Sequence, residues 1–346
     1  MNTHALSAAA REAALRRWDA VAKPLGALGQ FEEMLARIAA VQGTADIALF
    51  PRCALVFGAD HGVTVQGISQ SGSEVTALVA RAIAEGTSNI NLMAAAAQAD
   101  VFAADMGMHS PVPGTIDRRQ GGGTKDFSQG PAMTRAQAES AMQAGIDLVG
   151  DMKRRGYRLI ATGEMGIGNT TAAAALACAL LDLSPKETAG RGAGLSDAGL
   201  RRKIDVIGRA LEVNRPDPRD PMDVLSKLGG FEIAGMAGAF LGGAVHGVPI
   251  IMDGVISAAA ALLAVRVCPE ARQFMLPSHR SRSPGANALM DALRLRPVID
   301  AGMALGEGTG AVMLFPLLDM AYRVYSGIHT FDSLGMAAYQ PQGGTP

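Results

Sequence analysis

The stretch YRLIATGEMGIGNTT, residues 157–171, carries the pattern that decides the fold. Its apolar beginning, residues 157–162, predicts a buried strand, and the alanine-rich run 172–181 behind it predicts a helix. The glycines between them let the backbone approach a ligand, and amides at a helix N-terminus favour an anion. The sequence contains no Gly-Lys-Ser or Gly-Lys-Thr, so this is not a Walker A loop. On its own, the stretch fits a tight strand-to-helix turn and a phosphate site equally well.

The composition is that of a chain with a large apolar core. Of 346 residues, 49% are hydrophobic and 18% are charged, which predicts two domains, or one large α/β domain with an appendage. The formal net charge is −1 and no long basic run occurs, so we do not expect a nucleic-acid partner. Cys53, Cys178 and Cys268 lie far apart without a Cys-x-x-Cys, which indicates buried thiols in a reducing cytosol.

The sequence also predicts a cytoplasmic protein that does not enter a membrane. The N-terminal region carries Arg11, Arg16 and Arg17 but lacks the apolar core of a signal peptide. The longest apolar runs, residues 172–181 and 258–265, are too short to span a bilayer.

Apolar strand candidates alternate with helical patterns along the chain, at residues 54–59, 101–106, 157–162, 249–252 and 273–276. This alternation predicts an α/β fold with a parallel sheet covered by helices on both faces. Polar motifs follow the strand candidates, namely Asp60-His61, Asp105, Glu164, Asp253-Gly254 and Ser278-His279. Because ligands of open α/β sheets bind at the carboxyl ends of the strands, we expect the site at that edge.

Two glutamates are candidates for acid–base chemistry. Glu164 and Glu307 each follow a glycine and have apolar residues nearby. A carboxylate in such surroundings has a raised pKa and can act as a general base near neutral pH, although an ordinary loop glutamate has the same local sequence. Lys203 is either solvated or a partner for phosphate. His61 beside Asp60 could begin a metal site, but no second histidine stands at ligand spacing, so we predict no metal.

Seven motifs that occur in a fixed order allow a more specific interpretation of the sequence. Together they resemble the nicotinate-nucleotide–dimethylbenzimidazole phosphoribosyltransferase family over about residues 20–330, through KPLGALG (23–29), GADHGV (58–63), GEMGIGNTT (163–171), GGFE (229–232), DG (253–254), SHRS (278–281) and LGEGTG (305–310). Any single motif is weak, whereas the ordered set is specific.

The resemblance implies a reaction of cobalamin lower-ligand synthesis without a cofactor or metal. Nicotinate mononucleotide donates its phosphoribosyl group to dimethylbenzimidazole, giving α-ribazole phosphate and nicotinate. The pyridinium of the donor is already a good leaving group, but the acceptor nitrogen must lose a proton. By resemblance, Glu307 is the base for that proton, and Glu164 is a second carboxylate near the acceptor.

The resemblance also assigns the binding residues. The donor phosphoribosyl group is expected on Gly166, Ile167, Gly168, Asn169, Thr170, Gly192, Lys203 and Ser281. The acceptor is expected beside Ser71, Val79 and Leu305. The implied fold is a Rossmann-like three-layer parallel sheet with a small helical domain from both chain ends, residues 1–45 plus about 318–346, a large domain over 46–317, and a homodimer.

The sequence departs from the family at two places. Val79 replaces a glutamine that some members carry, and residues 282–285 read RSPG where an acid often stands. The acceptor therefore stays open between dimethylbenzimidazole, another benzimidazole, adenine and a phenolic compound. A nucleotide-binding subunit without catalysis and a metal hydrolase built on Asp60 and His61 are the alternatives from other classes.

Overall fold

A computed structural model describes residues 1–340 as a layered α/β protein. Within these residues, six strands form one sheet: β1 Arg52–Ala59, β2 Asp100–Gly107, β3 Ile116–Asp117, β4 Leu159–Met165, β5 Ile250–Met252 and β6 Met275–Pro277. The strand order is β3-β2-β1-β4-β5-β6, and every pairing is parallel. This is the Rossmann order, in which the winding direction reverses between β1 and β4. The prediction of a Rossmann-like parallel sheet is confirmed.

Helices cover both faces of the sheet. They are α1 Ala8–Ala20, α2 Gln30–Gln42, α3 Glu74–Ala84, α4 Asn89–Ala96, α5 Arg135–Arg154, α6 Asn169–Leu181, α7 Pro185–Thr188, α8 Asp197–Asn214, α9 Pro221–Leu228, α10 Phe231–His246, α11 Val255–Val267, α12 Ala286–Leu293 and α13 Thr309–Tyr325. None of the helices described within residues 1–340 is both long and apolar enough to cross a membrane.

The central strand β1 is buried along its whole length because it contributes to two cores. Leu55 and Phe57 belong to the core under α5, α6, α10 and α11. Ala54 and Val56 belong to the opposite core, which α2, α4 and α13 cover. Alternate side chains of a strand point to opposite faces, so the apolar run of β1 is the signature of a strand with both faces buried.

Close helix packing explains the small residues of α10. A Cβ atom on Gly238 would overlap the carbonyl oxygen of Met142 on α5. The two helices can therefore approach only where a side chain is missing, and the glycines of α10 are packing residues. Helix α5 begins directly after Thr134, which forms a capping box with Gln137.

The structure corrects several boundaries. Strand β4 continues to Met165, so Gly163 and Glu164 belong to the strand and the turn begins only at Gly166. Strand β3 lies inside the glycine- and proline-rich passage that carried no strand signal. Helices α7, α9 and α12 were missed as well, each short and next to prolines or glycines.

The two chain ends meet on one side of the sheet. Val21 forms an isolated bridge with Thr330, and the ring of Trp18 lies 5.2 Å from that of Tyr325. Both rings belong to the same core as Ala54 of β1. The predicted boundary at about residue 318 falls inside α13, and residues 341–346 of the predicted small domain lie outside the described residues.

Candidate active site

A cavity of about 270 Å³ lies at the carboxyl ends of the strands. Its walls come from the turn before α6, the start of α11, the segment after β6 and the loop before α13. It therefore lies beside the point where the winding of the sheet reverses, as expected for a ligand site in this fold. We call it the central cavity.

The turn between β4 and α6 has the properties of an anion site. Gly168 has φ 102°, a left-handed conformation, and provides no side-chain cap for α6. The amide of Ile167 donates to Thr76 Oγ1 at 3.1 Å. The amides of Gly168 and Thr170, in contrast, have no acceptor among residues 1–340. Two unpaired amides at a helix N-terminus favour a bound anion.

Lys203 of α8 lies directly behind this turn. Its side chain is 0% exposed, so it is not the solvated lysine that the sequence allowed. Nζ donates to Thr170 Oγ1 at 2.7 Å, and a Cβ atom on Gly192 would lie 3.9 Å from Nζ. Burial lowers the pKa of Lys203 to about 8. An anion at the turn would offset that desolvation, because it favours the charged amine.

Glu164 ends β4 and faces the central cavity. It is 7% exposed, and its carboxylate accepts a hydrogen bond from the side-chain amide of Asn169. Burial, together with the charges of Asp253 and Glu232, raises the pKa of Glu164 to about 8. Glu164 therefore holds a proton near neutral pH.

Glu307 lies in a loop whose backbone is left-handed over three residues. Its φ is 61°, between Gly306 at 86° and Gly308 at 89°. Oε2 of Glu307 is buried without a hydrogen-bond partner among the described residues. Burial raises the pKa of Glu307, while the amide of Ile90 and the side chain of Asn89 lower it. Glu307 also lines the central cavity, and a carboxylate of raised pKa at a cavity wall can accept a proton from a ligand.

Asp253 and His279 line the cavity, and sequence reasoning gave them no role. Asp253 follows β5, and its carboxylate accepts hydrogen bonds from the amides of Gly308 at 3.2 Å and Ala311 at 3.1 Å. It therefore caps the first turn of α13. Nδ1 of His279 lies 3.8 Å from the Asp253 carboxylate. The signals in the sequence were the position of both motifs after β5 and β6 and their place in the ordered set of family motifs.

Most of the remaining predicted residues line the central cavity, but one of them does not. Val79, Leu305, Gly192 and Ser281 line the central cavity together with the turn residues Gly166, Ile167, Gly168, Asn169 and Thr170. Ser71 does not line it, whereas Ser69, two residues earlier, does. The segment 282–285, which departs from the family, lines a neighbouring pocket of about 460 Å³.

The pair Asp60 and His61 does not form a metal site. Nε2 of His61 contacts Glu232 at 2.6 Å, and Asp60 accepts from the amide of His109 at 2.8 Å. Within residues 1–340, no group of three histidine, cysteine or acidic side chains is placed to hold a metal ion. In the described part of the chain, Asp60 and His61 are therefore paired with His109 and Glu232 rather than with each other.

The protonated state of Glu164 gives a testable pH dependence. A folded-state pKa of about 8, above the ordinary 4.5, means that the folded chain binds more protons than the unfolded chain between those values. Unfolding free energy should therefore fall as pH rises from 5 to 8, by at most about 1.4 kcal/mol per pH unit from this group. Glu164→Gln should show a shallower fall in urea titrations at each pH. Glu85→Gln, at an exposed position, is the control, and equal slopes for Glu164→Gln and wild type would contradict the expectation.

Fold and site together define an α/β protein in which a glycine turn with unpaired amides and buried carboxylates line one cavity. Residues 3–336 match the family model described as Phosphoribosyltransferase. A nicotinate-nucleotide–dimethylbenzimidazole phosphoribosyltransferase from Acetivibrio thermocellus is 42% identical over 94% of this chain and 94% of its own. Its namesake from Roseiflexus castenholzii is 44% identical, over 96% and 95%.

Solved structures agree with these relatives. The crystal structure of CobT from Thermus thermophilus superposes with a TM-score of 0.89 at 41% identity, covering 95% of this chain and 99% of that one. The chain belongs to the nicotinate-nucleotide–dimethylbenzimidazole phosphoribosyltransferase family.

Proposed function

We propose that this protein transfers the phosphoribosyl group of nicotinate mononucleotide to dimethylbenzimidazole, giving α-ribazole phosphate and nicotinate. The observation that carries the proposal is one cavity that joins an anion turn to two carboxylates of raised pKa, in a chain of this family. A donor phosphate and an acceptor ring held in one cavity meet at a defined distance, and positioning then supplies much of the rate.

The chemistry requires one base. The bond from the ribose anomeric carbon to the pyridinium nitrogen breaks, and its electron pair stays on nicotinate. One ring nitrogen of the acceptor attacks that carbon, and the proton of the other ring nitrogen must leave. The Glu307 carboxylate at the cavity wall accepts this proton. Glu164, protonated near neutral pH, orients the acceptor as a second, uncharged carboxyl group at the ring edge and leaves the lone pair of the attacking nitrogen free.

The donor phosphate binds at the turn before α6. The unpaired amides of Gly168 and Thr170 donate to it, and Lys203 supplies the cation behind Thr170. Gly192 and Ser281 border the same end of the cavity. The two amides would donate charge-assisted hydrogen bonds to the anion, and the ammonium of Lys203 would stabilise its charge from behind Thr170.

Lys203→Met should weaken donor binding far more than it slows chemistry. Methionine fills the buried space without a charge, so we expect the KM for nicotinate mononucleotide to rise on the order of ten- to a hundredfold, with kcat within about threefold. Steady-state kinetics at saturating acceptor measure both values. Lys186→Met, at an exposed position, is the control. An unchanged donor KM in Lys203→Met would remove Lys203 from the phosphate site.

The reaction itself is tested by nicotinate release. With nicotinate mononucleotide as donor, release should require dimethylbenzimidazole and produce α-ribazole phosphate in equal amount. Adenine and a phenol are tested as further acceptors, because Val79 gives the acceptor end of the cavity an apolar wall. Release without any acceptor would mean hydrolysis, and no release with the whole panel would overturn the transferase proposal.

We also propose a cytoplasmic homodimer in which the chain ends form one helical unit. Three reduced, buried cysteines support the cytoplasmic assignment.

The surface of α13 supports the homodimer. Exposed apolar side chains stand there at helical spacing, namely Met313, Met320 and Val324, and Ile328 beyond the helix is 92% exposed. An apolar stripe of this kind is typical of a surface covered by another subunit. Met320→Lys should therefore shift the protein towards monomers in sedimentation velocity, and an unchanged distribution would exclude this stripe as the dimer contact.

A further inference from the structure

A buried histidine–glutamate pair lies against the phosphate turn and has no part in the mechanism above. His61 and Glu232 are both 0% exposed, and Nε2 of His61 lies 2.6 Å from Oε1 of Glu232. The two residues stand 171 positions apart, in the motifs GADHGV and GGFE. A carboxylate can only accept, so Nε2 carries the hydrogen.

The imidazole ring is the surface on which the turn packs. A Cβ atom on Gly166 would lie 3.4 Å from Nε2 of His61, and one on Gly168 would lie 3.1 Å from its Cβ. On the other side, a Cβ atom on Gly230 would lie 2.8 Å from Nε2. Neither His61 nor Glu232 lines the central cavity. The pair therefore does not contact a ligand in the cavity, and it can act only through the turn or through its electrostatic field.

The pair also determines which charge stands behind the turn. Oε2 of Glu232 and Nδ1 of His61 have no hydrogen-bond partner among residues 1–340. His61 is thus the one side chain in the described structure that donates a hydrogen bond to the Glu232 carboxylate. That charge reaches the site, because it contributes to the raised pKa of Glu164. Without the imidazole, an uncompensated negative charge would face a binding turn for an anion.

We propose that His61 and Glu232 form a positioning pair for the donor phosphate. The imidazole supports the glycine turn and compensates the Glu232 carboxylate, so that the turn can accept a phosphate. This inference rests on the proposed function, since it takes nicotinate mononucleotide as the anion. A pair that served only packing would respond to the loss of either member in the same direction, whereas charge compensation predicts opposite directions.

The test compares the two single variants by calorimetric binding of nicotinate mononucleotide. His61→Phe keeps a ring under the turn but leaves Glu232 uncompensated, so Kd should rise about tenfold or more. Glu232→Gln keeps an oxygen for Nε2 and removes the negative charge, so Kd should fall or stay within about twofold of wild type. His61→Gln, which restores an N–H donor, should recover most of the loss. Equal increases in His61→Phe and Glu232→Gln would overturn the proposal.

The double variant His61→Phe/Glu232→Gln separates charge from shape. If compensation is the role, removing both groups should bring Kd back towards the wild-type value, a non-additive result. A double variant as weak as His61→Phe would show that the hydrogen bond alone matters and would overturn the charge argument. Should His61→Phe fail to fold, His61→Leu takes its place, because it also leaves Glu232 without a hydrogen-bond donor and should raise Kd in the same way.

His246→Phe is the matched control. It is a histidine at the other end of α10, roughly 21 Å from Glu232 by the helical rise, and it should leave Kd unchanged. Failure of the proposed function is distinguishable, since wild type would then neither bind nicotinate mononucleotide nor release nicotinate. If wild type turns over and every variant of the pair binds the donor with unaltered Kd, the role proposed for the pair is excluded while the proposed function stands.

Discussion

Glu307→Gln should lower kcat by at least about 10²-fold while leaving the KM for nicotinate mononucleotide within about twofold of wild type. Glutamine has nearly the same size and still fits the left-handed loop position, where φ is 61° between two glycines. It cannot accept the acceptor proton, so the loss falls on the chemical step. Donor binding is expected to persist because the turn proposed for the phosphate lies between β4 and α6, away from the Glu307 loop in the chain.

The measurement is single-turnover release of nicotinate at saturating dimethylbenzimidazole. Glu270→Gln, an exposed glutamate at a distant surface, is the control for expression and general charge effects. Equal rates for Glu307→Gln and wild type would remove Glu307 from the mechanism. If Glu164 is the base instead, the rate of nicotinate release should fall strongly in Glu164→Gln.

Gly163→Ala should damage stability and catalysis together. A Cβ atom on Gly163 would lie 2.6 Å from the carbonyl carbon of Glu307 and 2.8 Å from the amide of Gly308. These are backbone atoms, so no side-chain rotation relieves the overlap and the loop must move. We expect a loss of about 1–3 kcal/mol in unfolding free energy and a fall in kcat on the order of 10²-fold, because a base displaced by an ångström is no longer aligned.

Gly208→Ala is the matched control for this prediction. Gly208 lies within α8, and a Cβ atom there meets no atom within 4 Å, so alanine should be neutral or stabilising by up to about 1 kcal/mol. Urea unfolding and kcat are compared for both variants. A Gly163→Ala protein as active and stable as Gly208→Ala would mean that the loop before α13 adapts without cost.

The sequence predicted the features that follow from local periodicity. The apolar run of β1, the glycine turn before α6 and the polar residues after each strand all depend on neighbouring residues, and alternation with helices then requires a parallel sheet. The same logic failed for β3, because two residues paired only with β2 have no periodicity. It also failed for α9, which begins at Pro221 directly behind a proline-rich connector.

The site was predicted as a set of residue types but not as an arrangement. Burial of Lys203 depends on α8 packing behind the turn, which no local pattern encodes. Asp253 caps α13 across 55 residues, and His61 meets Glu232 across 171. Such contacts arise from the order of strands in the sheet. The roles of Glu164 and Glu307 remain predictions that the variants above test.

A hydrogen bond links the two halves of the central cavity, which are the turn proposed for the phosphate and the wall proposed for the acceptor. The amide of Ile167 in the phosphate turn donates to Thr76 of α3, one helical turn before Val79. Whatever factor a bound donor contributes to acceptor affinity, the acceptor contributes to donor affinity, since such coupling is reciprocal. Inhibitors that fill one half should accordingly be ranked with the other half occupied. A compound that breaks the Thr76 bond would act on both substrates at once.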